Sequence, residues 1–152
     1  MTKVTFETSK GNFTIKLSET KPITTGNFVK LVEKGFYDGI AFHRIIDNFM
    51  IQGGCPKGNG TGGPGYNIKD EWDAPQTNKK YTIAMANAGP NTGGSQFFIN
   101  TVNNNYLDKN HPVFGEVVEG KDVIDSIGVA ETNRADVPIT PIVMTKVFVS
   151  EA

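Results

Sequence analysis

A chain of 152 residues, 38% of them hydrophobic and 20% charged, is long enough to bury a substantial core without help from disulfides or metals. Its 15 basic and 16 acidic residues leave a net charge of −1, which gives no sequence-independent attraction to nucleic acid or to an anionic membrane surface. The N-terminus, Met1-Thr2-Lys3-Val4-Thr5, has no apolar signal core, no stretch approaches the ~20 apolar residues of a membrane span, and Cys55 is alone, so we expect one cytoplasmic domain over 1–152.

Val4 to Thr8 and Phe13 to Leu17 alternate apolar with polar residues around the turn-forming Ser9-Lys10-Gly11-Asn12, which predicts a β-hairpin. From Thr24 to Lys34 the period changes to that of a helix, with Phe28, Leu31 and Val32 on one face, a threonine at the N-cap and Gly35 to end it. Short strands are expected at His43 to Ile46, Met50 to Gly53, Tyr81 to Ala86, Phe97 to Asn100, Val113 to Val118 and Val143 to Val149, with a second helix at Lys121 to Ile127. Eight strands and two helices in a chain with 17 glycines and 8 prolines fit a mainly β fold, a closed antiparallel barrel capped by the helices, because closure removes exposed strand edges. The glycine-rich segment Cys55 to Lys80 is expected as an ordered surface loop.

Several motifs fail on context. Gly58 to Gly63 matches G-x-G-x-x-G by letter, but Pro64-Gly65 stands where the phosphate-binding helix must begin. Ser95 follows Gly93-Gly94 without the glycine that completes a nucleophile elbow. His43 and His111 are far apart and lack neighbours at metal-ligand spacing, which favours hydrogen-bonding roles. Beyond Lys57, nothing near Cys55 in sequence would acidify it, so it reads as a small unreactive side chain. The sequons at Asn12 and Asn59 carry meaning only in a secreted chain.

Phe42-His43-Arg44 through Gln52-Gly53-Gly54, Gly60-Thr61-Gly62-Gly63-Pro64-Gly65-Tyr66 and Met85 to Ile99 together resemble the signature of cyclophilin-type peptidyl-prolyl isomerases, in that family's order. Gly35 to Gly39, Leu107-Asp108, His111, Val113-Phe114-Gly115 and Gly120 to Val123 also fall where the family places them, and the short loops resemble compact prokaryotic members. The resemblance implies an eight-stranded barrel with a packed interior, a substrate groove on one outer face, and no cofactor or metal. Its partners would be proline-containing peptides and unfolded or folding proteins.

That chemistry is within reach of such residues. An X-Pro bond turns over a barrier of roughly 20 kcal/mol because resonance stiffens it, and no covalent bond need break. A turnover of about a hundred to a thousand per second asks for only about 5 to 7 kcal/mol of preference for the twisted amide. The resemblance assigns Arg44 as catalyst: a guanidinium is always charged and donates only, so it serves the prolyl nitrogen as its lone pair leaves conjugation. Position alone would favour a surface ion pair with Asp47 or Glu71. Phe49, Met50, Phe98 and Leu107 correspond to the proline pocket, although in isolation each would be a core residue. Gln52, Gln96 and Asn87 match substrate contacts, Asn87 through its backbone, while Ala86 and Ala88 leave room for an extended peptide. His111 matches a groove-wall residue that donates to a substrate carbonyl, against the alternative of a partly buried structural histidine.

Two departures stand out. Tyr106 occupies a rim position where many members carry tryptophan, which implies weakened cyclosporin binding with activity retained. Cys55 follows Gly-Gly where aspartate is common, with no role implied. Competing readings are a proline-peptide binding module or holding chaperone without turnover and, more remotely, a small-molecule carrier, which a side-chain-filled barrel would exclude. A near-neutral surface without heptads fits a monomer.

Overall fold

The computed structural model describes residues 2–72 and 76–152. The opening hairpin pairs β1 (Lys3–Thr8) with β2 (Gly11–Leu17). Its register sets Val4 opposite Ile15 and Phe6 opposite Phe13, so the alternating apolar residues share one face and the two phenyl rings stack at 4.5 Å.

The first helix, α1 (Pro22–Glu33), starts earlier than the apolar spacing indicated, with proline pre-set for the first turn. No local threonine caps it. Glu71 reaches in from 47 residues away instead, accepting the Thr24 N–H and hydroxyl on Oε1 (both 2.7 Å) and the Ile23 N–H on Oε2 (3.1 Å). The expected stop does hold. Gly35 takes φ +71°, the Gly35 N–H bonds Val32 O and the Phe36 N–H bonds Leu31 O, both at 3.0 Å, which closes the helix by a Schellman motif.

The remaining elements are β3 (Ile40–Ala41), β4 (Arg44–Ile46), β5 (Met50–Gly53), β6 (Thr82–Met85), β7 (Phe97–Asn100), a 3₁₀ turn at Asn105–Leu107, β8 (Val113–Glu119), α2 (Lys121–Gly128) and β9 (Val143–Glu151). They form a curled sheet in the order β3-β9-β1-β2-β8-β6-β7-β5-β4, with antiparallel pairing throughout. The expectation of a closed eight-stranded barrel is therefore corrected on two counts. Among the described residues there are nine strands, because Ile40–Ala41 is a two-residue strand too short to show alternation. The ladder also ends at β3 and β4, joined by the chain itself rather than by rungs: the Phe42 N–H donates to Ile142 O (2.9 Å) and the His43 N–H to Gln52 O (3.1 Å). The loop expectation for 55–80 holds outside 73–75, which lie beyond the described residues.

Inside the curl, Phe97 packs edge-on against Phe6, Phe28, Tyr37 and Phe42, with centroids 5.7–6.3 Å apart. Val4, Ile15, Ile51, Ile83, Ile99, Ile124 and Ile127 complete a core filled by its own side chains. Burial drives the Tyr37 phenol far above its ordinary pKa, and its hydroxyl donates to Ser95 O (2.9 Å). Ser95 is itself buried and donates to Gly54 O (2.7 Å), so it is a structural residue.

The long-range cap has a measurable consequence. Glu71→Ala leaves two N–H groups and a hydroxyl without their acceptor and is expected to destabilise the fold by about 1–3 kcal/mol, with Glu71→Gln milder, as read by urea denaturation.

Candidate active groove

The two-residue period of the strands sorts side chains between core and surface. Ile45, Ile51, Phe97, Ile99 and Ile83 point into the core, so their neighbours must point outward. The register aligns Arg44 with Gln52, Gln52 with Phe98, and Phe98 with Ala84 in one rung across β4, β5, β7 and β6. A second apolar cluster forms on this outer face from Met50, Ala84 and Phe98, with Ile46, Phe49, Ala86, Leu107 and Val113 packed around it. Met50 and Phe98 are only 2% and 4% exposed, a dry floor on the outside of the sheet.

Arg44 is exposed and has no carboxylate within ion-pair distance among the described residues. Glu71 is committed to α1, which removes one of the ion pairs weighed from sequence. The Nη1 of Arg44 donates instead to Gln52 Oε1 (3.3 Å), Gln52 Nε2 donates to Gln96 Oε1 (3.2 Å), and Gln96 Nε2 donates to the carbonyls of Gly60 and Gly62 (both 2.9 Å).

The other nominated residues border the same face. Tyr106 is 70% exposed and lies nearly parallel to Phe49 at 6.4 Å, forming a rim. His111 stands edge-on to Phe98 at 5.3 Å. Ala86, Asn87 and Ala88 line a cleft of about 480 Å³ with Gln52, Gln96 and the glycine-rich 60–65 loop. The side chain of Asn87 is occupied locally, donating to Asn110 O (2.7 Å) and accepting the Gly89 N–H (3.3 Å). Among the described residues no hydrogen bond engages its backbone N–H or C=O, so both are available to an extended chain. A larger recess of about 800 Å³ beside Lys16 to Lys21 and Gln76 contains none of the nominated residues.

Sequence reading missed what holds the rim. Asn78, Asn100 and Asn104 are buried and linked: Asn100 Nδ2 donates to Asn78 Oδ1 (3.0 Å) and Thr82 Oγ1 (2.9 Å), while Asn104 Nδ2 donates to Asn100 Oδ1 and Phe49 O (both 2.9 Å). Asp108 accepts from the backbone and side chain of Asn78 at 2.7 and 3.0 Å. Burial acts to raise the Asp108 pKa, but these bonds together with one from Thr77 outweigh it and lower it. The signal available in sequence was a cluster of asparagines with no obvious turn to serve.

Two chemical expectations change. His111 Nδ1 lies 2.9 Å from Met85 O, which only accepts, and 3.4 Å from the Asn87 amide nitrogen, which only donates; the shorter contact assigns the neutral ring's proton to Nδ1 and presents Nε2 as an acceptor. Donation from Nε2 to a substrate carbonyl is then open only to the imidazolium. The Cys55 thiol is buried, which by itself would raise its pKa, yet hydrogen bonds from its own loop at Asn59, Gly62, Lys57 and Gly60 lower it overall. Those backbone donors are invisible in sequence, where only Lys57 suggested acidification. His43 keeps its structural reading: it is 7% exposed, and burial first, then the charge of Arg44, lower its pKa.

Comparison with known proteins agrees with this architecture. The family model described as cyclophilin type peptidyl-prolyl cis-trans isomerase/CLD matches residues 3–149. A peptidyl-prolyl cis-trans isomerase-like 1 from Emericella nidulans is 43% identical over 99% of this chain and 96% of its own. A peptidyl-prolyl cis-trans isomerase from Helicobacter pylori is 48% identical over 81% of this chain and 78% of its own. A cyclophilin-type isomerase crystal structure from Cryptosporidium parvum superposes with a TM-score of 0.93 at 29% identity, covering 99% of both chains, and was solved in the presence of the dipeptide Ala-Pro.

The tautomer inference is open to direct measurement. Imidazole ¹⁵N spectra of the neutral His111 ring are expected to show the Nδ1–H form; a dominant Nε2–H form would contradict the Met85 hydrogen bond.

Proposed function

This chain belongs to the cyclophilin-type peptidyl-prolyl cis-trans isomerases and catalyses rotation about X-Pro bonds; we propose that Arg44 is its catalytic residue. The observation that carries this is the shared rung: an exposed guanidinium free of carboxylate partners among the described residues stands on the same outer face as the apolar floor of Met50 and Phe98.

Phe49, Met50, Phe98 and Leu107 take the proline ring, which is compact and apolar and loses no hydrogen bond on burial there. The residues before proline run along Ala86, Asn87 and Ala88, where the unpaired backbone of Asn87 receives an extended peptide. With the ring held, the acyl side rotates while Arg44 donates toward the prolyl nitrogen. This interaction strengthens only as the nitrogen lone pair leaves conjugation, so it favours the twisted amide over both planar forms. Gln52, on the same rung, orients the substrate carbonyl. Tyr106 forms an aromatic wall beside Phe49, and His111 stands edge-on to Phe98 on the same rim.

The substrates on this reading are proline-containing peptides and unfolded or folding chains, in line with the Ala-Pro dipeptide present with the Cryptosporidium parvum neighbour. A single-domain monomer of the cytoplasm suits a near-neutral chain with one cysteine.

Arg44→Ala is expected to lower kcat/KM by roughly 10²- to 10³-fold in an NMR exchange or protease-coupled assay, with peptide affinity changed far less. Collapse of binding with turnover per bound peptide intact would instead mark a holding module. Tyr106→Trp adds an indole N–H at the rim and is expected to tighten cyclosporin by about tenfold in a binding titration, with a smaller change in turnover.

A further inference from the structure

We propose that Gln96 is a positioning residue for Arg44, acting through Gln52, rather than a contact of the substrate. The inference rests on the reading of Arg44 as the catalytic group. It follows from the direction in which each hydrogen bond must run.

The Gly60 and Gly62 carbonyls can only accept, so the amide nitrogen of Gln96 faces them and both of its N–H groups are used, at 2.9 Å each. The Gln96 oxygen must then face the other way, toward Gln52, and it accepts the Gln52 amide at 3.2 Å. That turns the Gln52 oxygen toward Arg44, whose guanidinium only donates, and the contact is made at 3.3 Å. Were Gln96 absent, nothing on this path would stop Gln52 from rotating its amide and presenting N–H groups to the arginine, donor against donor. Gln96 thus sets the polarity of the whole chain of bonds, and its side-chain amide has no N–H left to offer a peptide.

The acceptors sit on a turn whose shape favours glycine: Gly60 adopts φ +87°, a conformation costly for other residues, and a Cβ there would lie 3.3 Å from Nε2 of the buried His43. At the other end, Gln96 directly precedes β7, the strand that carries Phe98. An exposed arginine has much rotamer freedom to lose on each catalytic event, and holding one nitrogen on a neutral amide reduces that loss without neutralising the charge.

The test separates kcat from KM for Gln96→Leu, Gln96→Glu, Gln52→Leu, the double variant Gln96→Leu/Gln52→Leu and Arg44→Ala, with peptide affinity by titration and folding by thermal denaturation. Gln96→Leu is expected to lower kcat by about fivefold to tenfold, with peptide affinity and Tm little changed. In the Gln52→Leu background the same substitution is expected to add nothing, since its route to Arg44 is already cut. Gln96→Glu keeps an acceptor for Gln52 but sets a carboxylate against two carbonyls. It is expected to lower kcat as well and to increase averaging of the Arg44 Nη resonances, which supplies a readout if the leucine variant folds poorly. A raised KM with kcat intact, additivity with Gln52→Leu, or an unchanged kcat overturns the proposal. If Arg44→Ala abolishes turnover while Gln96→Leu does not, only this inference fails; if Arg44→Ala retains turnover, the reading of Arg44 itself fails.

Discussion

The floor of the groove and its Arg44 side depend on the register of β4, β5 and β7. Side chains alternate across a strand, so the pairing of Arg44 with Gln52 and of Gln52 with Phe98 is also the pairing that puts Ile45, Ile51 and Phe97 in the core. A slip of one residue would bury the arginine and expose three large apolar side chains. The free energy of packing the interior therefore fixes which residues meet on the outside, and the site needs no stabilising contacts of its own to hold that order. It also explains how Met50 and Phe98 can be nearly inaccessible and yet lie outside the main core: they are the surface-facing half of strands whose other half is the centre of the protein.

The opposite wall is built by another principle. Residues 104–111 contain only one 3₁₀ turn and have no ladder to place them. Buried amides do this work. Asn104 ties the segment to Phe49 and Asn100, and Asp108 and the His111 carbonyl both accept from Asn78. Removing one partner would strand several buried groups at once, at about 1–3 kcal/mol each, so the rim bearing Tyr106, Leu107 and His111 is held by a network that favours a single arrangement.

Much of this was legible in the sequence, and the gaps have physical causes. Alternation and helical spacing located the long strands and both helices, because those patterns record which face is buried. Ile40–Ala41 was missed because two residues cannot display a period, and the early start of α1 because its cap, Glu71, lies 47 residues away from Thr24. The candidate groove residues were nominated from their order along the chain, whereas their relations to one another were not legible there: the tautomer of His111 depends on a carbonyl at Met85, and the acidity of Cys55 on backbone donors in its loop. Side-chain identity carries no record of which backbone atoms will face it.

Arg44 draws these strands together. An arginine on a protein surface commonly settles against a carboxylate, and a bidentate partner there would spend the donors and offset the charge that a twisted amide requires. Glu71, one of the carboxylates available by sequence, is buried instead at the start of α1, where three donors hold it. What Arg44 meets is the oxygen of Gln52, a neutral acceptor that takes one N–H and leaves the remaining donors and the full charge. A carboxylate in place of Gln52 would bind the guanidinium more tightly and lower the ground state along with the transition state, which gains nothing in rate. On the proposed mechanism a weak neutral contact is the better arrangement, since it orders the side chain while leaving its strongest interaction to form only when the prolyl nitrogen becomes pyramidal.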